Sequence, residues 1–173
     1  SQKYEEAIYF DSRCTPAYLK YADIYKSANA GLAIEKLNQL KTLEPSNTAI
    51  DKKLAEIYYL KNDFSKAADA YSRFAMGPTA NEEDLVKYAF ALFLNHDFAK
   101  SLEVANMGLK KTPRHAAFNR LAMYNNTDLK RFEEALKAAD VFFNECDKAD
   151  YSYLDYMYYG HLLEELKKYD EAV

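Results

Sequence analysis

The sequence predicts an all-α fold built as an array of repeated helix pairs, and three observations carry that expectation. Between Ala49 and Pro78, the residues Leu54, Ala55 and Tyr58 recur at helical spacing, a polar break follows at Lys61-Asn62-Asp63, and Phe64, Ala67, Tyr71 and Phe74 resume the pattern. Two short amphipathic helices joined by a tight turn fit that order of residues. The same template fits again along the chain, because Ala33, Ala67, Ser101 and Ala135 stand 34 residues apart each time. A fixed period of this size marks a repeat array. Strand signals are missing: there is no sustained period-two alternation and no Asn-Gly or Asp-Gly dipeptide.

Composition agrees. The 173 residues are 49% hydrophobic and 15% aromatic, which excludes a disordered chain and provides enough apolar surface for an ample core. With 16 Tyr and no Trp, that core draws on amphipathic aromatics. The net charge of −4 comes from interspersed signs, so no global field favours nucleic acid or an anionic membrane. The longest fully apolar run, Tyr88 to Leu94, falls far short of the roughly 20 residues a membrane span needs. Cys14 and Cys146 lie near opposite ends, where an extended array keeps them apart, and both read as unbridged core residues.

Taken in order, residues 1–14 read as part of a repeat: Tyr4-Glu5-Glu6-Ala7-Ile8 starts a second helix whose first helix is missing. Repeats are then expected over 15–47, 48–80, 81–114 and 115–149, with a partial repeat over 150–173 that ends at Tyr169-Asp170-Glu171-Ala172-Val173. Both ends cut through a repeat, so a longer natural polypeptide is expected. Thr15-Pro16 supplies a capping hydroxyl and a preset φ for the first complete pair, whose turn at Ser27 to Gly31 is one residue short. The third pair breaks at Asn95-His96-Asp97. The fourth places its turn near Asn125-Asn126-Thr127, and the fifth follows a loop around Cys146 to Asp150 about three residues longer than usual.

Two columns of small residues run through these repeats. Ala22, Ala55, Ala89, Ala122 and Gly160 form the first, and Ala33, Ala67, Ser101, Ala135 and Ala172 the second. Side chains this small let paired helices approach closely. Large residues fill the space between: Tyr21, Leu54, Tyr88, Leu121 and Tyr159 precede the first column by one position, and Phe64, Phe98, Phe132 and Tyr169 precede the second by three. Each pair hides its apolar face by stacking on its neighbours.

These residues resemble the tetratricopeptide repeats. Tyr156-x-x-Tyr159-Gly160-x-x-Leu163 and Leu54-Ala55-x-x-Tyr58 match the first half of that family's motif, and Ala67-x-x-x-Tyr71-x-x-Phe74 its second, although no Trp takes the lead position. The resemblance covers nearly the whole chain. It implies a single right-handed α-α superhelix, a solenoid of helical hairpins, whose first helices line a concave groove that grips peptides or proteins.

On that orientation the expected groove residues are Lys53, Tyr59, Lys87, Phe90, Phe93, Asn119, Arg120, Met123 and Met157. Lys20, Lys53, Lys87 and Arg120, followed by Tyr158, form a column two positions before the small residues. A basic ladder of this kind suits a carboxylate-rich peptide. Equally, these cations read as solvated residues on an ordinary helix face, and the apolar members as core residues displaced by one position. The carboxylate clamp of chaperone-tail-binding relatives is mostly missing, since Leu19, Asp23, Lys53, Glu83 and Lys87 stand in its place.

No metal, cofactor or catalytic centre is expected. His96, His115 and His161 lack ligand spacing, and Gly31, Gly77, Gly108 and Gly160 are too scattered to cradle phosphate. Asn125-Asn126-Thr127 is a formal glycosylation acceptor that matters only in a secretory context. The expectation is a non-catalytic scaffold with a protein or peptide partner, without nucleic acid or membrane insertion. The alternative is a structural or homo-oligomerising segment, or a regulatory arm of a larger protein. No residue pattern marks a compartment.

Overall fold

The computed structural model describes residues 2–146 and 150–167. Among them are the helices α1 (Gln2–Phe10), α2 (Thr15–Ala28), α3 (Ala30–Leu43), α4 (Thr48–Leu60), α5 (Phe64–Ala75), α6 (Glu82–Leu94), α7 (Phe98–Lys111), α8 (Ala116–Asp128), α9 (Phe132–Asn144) and α10 (Tyr153–Glu165). No strand occurs among the described residues. None of their helices is long and apolar enough to cross a membrane. The chain divides into two compact units, Ser1–Ala80 and Asn81–Val173.

Most helices start on a short polar side chain that accepts a backbone N–H of the first turn: Asn29, Asn47, Asp63, Asn81, Asp97 and Ser152. At Asn81 and Ser152 the bond is reciprocated by Asp84 and Asp155, completing capping boxes. Thr15 departs from its expected role. The cap of α2 is Cys14, which makes no side-chain cap bond, and the Thr15 hydroxyl donates instead to the Glu44 carboxylate, 2.9 Å away. Pro16 keeps its place in the first turn.

The turns that follow α4, α6, α8 and α10 pass through a left-handed residue: Asn62, His96, Lys130 and Lys167 all have φ near +60°. The α2–α3 connection is a single residue, Asn29. Asn125-Asn126-Thr127 is not a turn. All three lie buried in the last part of α8, and the turn falls at Leu129 to Arg131. The Asn125 amide donates to the Ser101 hydroxyl at 2.8 Å, and Thr127 donates to the Met123 carbonyl one turn back, so side chains that read as a loop find partners inside the helix pair, while the Asn125 Oδ1 is buried without a partner among the described residues. Burial also removes the triplet as a glycan acceptor in the folded chain.

In the first unit α2 pairs with α3 and α4 with α5, while α4 also touches α2 and α3. Ala22, Ala33, Ala55 and Ala67 are all fully buried, and Tyr21, Leu37, Leu40, Ile57 and Tyr71 fill the space around them. One carboxylate is buried among these helices: Asp51 of α4 accepts from Lys41 of α3 at 2.6 Å and Arg73 of α5 at 2.9 Å. A buried charge needs such compensation, and two cations from two helices make Asp51 a three-helix tie.

In the second unit α6 pairs with α7 and α8 with α9; α8 touches α6, α7 and α10, and α10 also touches α9. Ala89, Ser101 and Ala135 are fully buried and Ala122 nearly so. Ser101 donates to the Ala89 carbonyl at 2.8 Å, so the one hydroxyl in the second small column bonds directly to the helix it packs against. Gly160 differs from its column: among the described residues nothing lies within 4 Å of where its Cβ would be. Ala172 lies outside the described residues. Gly108 has the tightest approach, since a Cβ there would stand 2.2 Å from the Phe118 ring.

That contact sets a test of sign. Replacing a helix-interior Gly by Ala ordinarily gains up to about 1 kcal/mol. Gly108→Ala should instead lose about 1–3 kcal/mol through overpacking. Ala89→Leu should lose a similar amount, as a thermal midpoint lowered by about 2–4 °C per kcal/mol. A raised midpoint for Gly108→Ala would contradict the close approach of α7 to Phe118.

Candidate functional site

The side chains on the first helix of each pair decide which surface is open. In the first unit, Lys53 reaches Asp23 of α2 at 2.8 Å and Glu56 of its own helix at 3.0 Å. Burial opposes the charge on Lys53, but the bonds and charges of Asp23 and Glu56 outweigh it and raise the ammonium above its ordinary value. Burial likewise opposes ionisation of Asp23, and Lys53 then Lys26 overcome it, holding the carboxyl low. A shallow recess of about 340 Å³ beside them is lined by Pro16, Leu19, Lys20, Asp23 and Lys53. Tyr59 is half-buried, packs edge-on to Phe64 and has its hydroxyl pushed up by burial.

In the second unit the expected groove residues separate. Lys87 pairs with Glu83 one turn earlier on α6 at 2.6 Å. Phe90 is half-buried. Asn119 is buried, its amide donating to the carbonyls of Pro113 and His115 at 2.9 and 3.2 Å. Met123 is 0% exposed and belongs to the core around α8 and α9. Neither Asn119 nor Met123 presents a surface to a ligand. Phe93 of α6, Tyr124 of α8 and Tyr158 of α10 meet as a ring cluster, with Phe93 5.5 Å from Tyr124 and 6.4 Å from Tyr158. These contacts join three helices and close the face of α8 on which Met123 lies.

Arg120 is likewise occupied. Its guanidinium grips both oxygens of Asp155 on α10 at 2.7 and 3.0 Å, donates to the Asp150 carbonyl at 2.6 Å, and lies over the Phe142 ring. Asp155 is 0% exposed and also accepts from the Tyr124 hydroxyl at 2.6 Å and from Ser152. Burial pushes its pKa up, but Arg120, Tyr124 and Ser152 together pull it below the ordinary carboxylate value. A reciprocal bond crosses the same two helices: the Tyr158 hydroxyl of α10 donates to Asp128 of α8 at 2.7 Å, while the Tyr124 and Tyr158 rings stack at 4.2 Å. Burial first, then the paired carboxylate, raises both phenols. Two cations of the basic column, Lys53 and Arg120, thus brace helices. Tyr158 and the Ser152-x-x-Asp155 capping pattern were the sequence signals of this brace.

Beyond it the surface opens. A cleft of about 510 Å³ runs between the end of α8, the start of α9 and α10. Its apolar wall is Phe132, Leu154, Met157 and Tyr158, and its polar edge is Asp128, Lys130, His161 and Glu165. Met157, 49% exposed, is the one expected groove residue that lines it. Asn119 and Met157 occupy equivalent positions, three before the small residue of their helix. One is covered and the other open, because α8 has helices on both sides while α10, among the described residues, has them on one. No group of three potential ligands for a metal occurs among the described residues.

The fold is that of tetratricopeptide-repeat proteins. The chain superposes on YrrB, described as a TPR protein with an unusual peptide-binding site, with a TM-score of 0.79 and 13% identity over 98% of this chain and 87% of that one. MamA gives a TM-score of 0.77 and 15% identity over 93% of this chain and 87% of its own. PilF of Pseudomonas aeruginosa gives 0.71 and 12% over 98% and 76%. No family model matches the sequence. No curated protein matches it either.

The brace makes stability pH-dependent. The folded pKa of Asp155 is depressed. Its contribution is therefore complete above the unfolded carboxylate value of about 4 and is lost as pH falls through the lower folded value. Asp155→Asn should cost roughly 3 kcal/mol at neutral pH by leaving Arg120 uncompensated. It should also flatten the fall in thermal midpoint between about pH 5 and pH 3. An unchanged acid limb in the variant would remove Asp155 from this role.

Proposed function

We propose that this chain is a non-catalytic protein-interaction module that holds a peptide or protein segment in the α8–α9–α10 cleft. One observation carries the reading: Leu154 and Met157, 40% and 49% exposed, stand together on the wall of a concave recess that has polar groups at its edge. An apolar side chain seated there would be buried by Met157, Phe132 and Leu154, and the edge would fix its neighbours through hydrogen bonds and charge. The peptide-binding site of YrrB lends support at the level of fold alone. Lys53 and Arg120, bound to carboxylates of their own chain, serve in this reading to hold helices in register, and Phe93 packs against Tyr158, which lines the cleft.

A second reading, association between copies, is favoured by Tyr9 and Phe10, which are 85% and 84% exposed at the end of α1. Sedimentation velocity across a concentration series reads it directly. A weight-average mass that rises with concentration supports association, and a constant monomer mass removes it.

The cleft itself is tested by peptide selection. Displayed random peptides should enrich on the chain. Leu154→Gln/Met157→Gln should weaken the enriched peptides at least tenfold, as expected when apolar anchors are lost from a contact centre. Helicity should stay unchanged, because both side chains are exposed. Enriched peptides that bind the double variant with full affinity would place the site elsewhere.

A further inference from the structure

We propose that the segment taken by this cleft is basic: it lays an apolar side chain on Met157 and sets an arginine or lysine against the carboxylates at the edge. This rests on the reading of the cleft as a peptide site and adds its chemistry. The first support is local charge. Asp128 and Glu165 line the cleft against one lysine, Lys130, and one histidine, His161, while of the neighbours outside the lining Glu164 lies between His161 and Glu165 on α10 and Lys167 lies beyond it. Neither Glu164 nor Glu165 makes an ion pair among the described residues, and both are exposed. Asp128 accepts the Tyr158 hydroxyl on Oδ2, and its Oδ1 has no partner among the described residues. Two carboxylates of the lining, with Glu164 beside them on α10, thus retain acceptor capacity that a guanidinium or ammonium fills.

The second support is aromatic. Tyr153 is 80% exposed and precedes Met157 by one helical turn, so the two share a face with His161 and Glu164. An exposed phenol ring beside carboxylates receives the flat face of an arginine, with cation–π attraction added to charge. The third is the distribution of charge along the chain. Residues 81–173 contain 17 Asp and Glu against 12 Lys and Arg, whereas residues 1–80 contain 10 against 11. The excess of negative charge therefore sits in the unit that holds the cleft, and it steers a cationic segment toward that unit.

The test uses the whole chain and three fluorescein-labelled peptides of equal length with leucines at identical positions, carrying Arg, Gln or Glu at the remaining ones. By fluorescence anisotropy the Arg peptide should bind about tenfold more tightly than the Gln peptide, and the Glu peptide more weakly than either. Raising salt from about 0.05 M to about 0.5 M should erase the advantage of Arg. Asp128→Asn/Glu164→Gln/Glu165→Gln should reduce the advantage of Arg over Gln about tenfold, bringing the two affinities together. The asparagine keeps an acceptor for Tyr158, and circular dichroism checks the fold. Equal affinity for Arg and Gln, tighter binding of Glu, no binding of Arg, or Arg binding indifferent to the triple variant would each overturn the inference. If the Gln peptide binds and loses affinity in Leu154→Gln/Met157→Gln while Arg gains nothing, the cleft stands and its basic partner falls. If selected peptides ignore that double variant, the cleft itself falls.

Discussion

Everything in this structure depends on how closely paired helices approach at alanine-sized side chains. Ala55 and Ala67 in one pair, and Ala89 and Ser101 in another, are fully buried, and Ser101 bonds directly to the Ala89 carbonyl. A contact this tight fixes the distance and rotation of both helices, because ridges of neighbouring side chains must then fall into the grooves beside it. Large residues one or three positions away fill what remains. At Ser101 the contact is also a hydrogen bond, and Asn125 extends it into a chain from α6 through α7 to α8. At Gly108 the approach is so close that only the missing methylene makes space for Phe118.

Helices held at this spacing bring charged residues into reach that are far apart in sequence. Lys53 meets Asp23 thirty positions away, and Arg120 meets Asp155 thirty-five positions away. Both cations belong to the column that read as a ladder for an acidic ligand. Their separation from their partners is close to one repeat period, which is the physical reason for the pairing: equivalent positions on successive first helices lie side by side. A repeat array with acidic residues at one register and basic residues at a neighbouring one neutralises itself along its length. Such partly buried pairs specify register, and their charge is then unavailable to a partner.

The fold was legible in the sequence because a period is a property of many residues at once. Errors at single positions, such as the turn placed at Asn125-Asn126-Thr127, leave it intact. Faces are less legible. Asn119 and Met123 carry the right residue types and spacing for an inner wall, yet both are buried: Asn119 turns its amide to the Pro113 and His115 carbonyls, and Met123 sits in a core cluster against which Phe93 of α6 and Tyr158 of α10 pack. Periodicity reports which side of a helix is apolar. It does not report whether a residue from a neighbouring repeat covers that side. Polar triplets mislead for a related reason: Asn and Thr read as turn formers until a buried hydroxyl and a helix carbonyl one turn back supply their partners.

What remains open follows from the same geometry. α8 lies between α6 and α10, and its inner positions are spent on packing; α10 has helices on one side among the described residues, so the equivalent positions Met157 and His161 face outward. The Tyr124–Asp155 and Tyr158–Asp128 bonds hold α10 on α8 from both ends of the stacked ring pair, which gives the cleft a rigid floor. A rigid floor matters for binding, because a segment that docks there does not also have to order the wall it docks against. The brace therefore links the two halves of the molecule's chemistry. Carboxylates that bond to the chain's own tyrosines and arginine build the recess, and those left at its edge give it a sign.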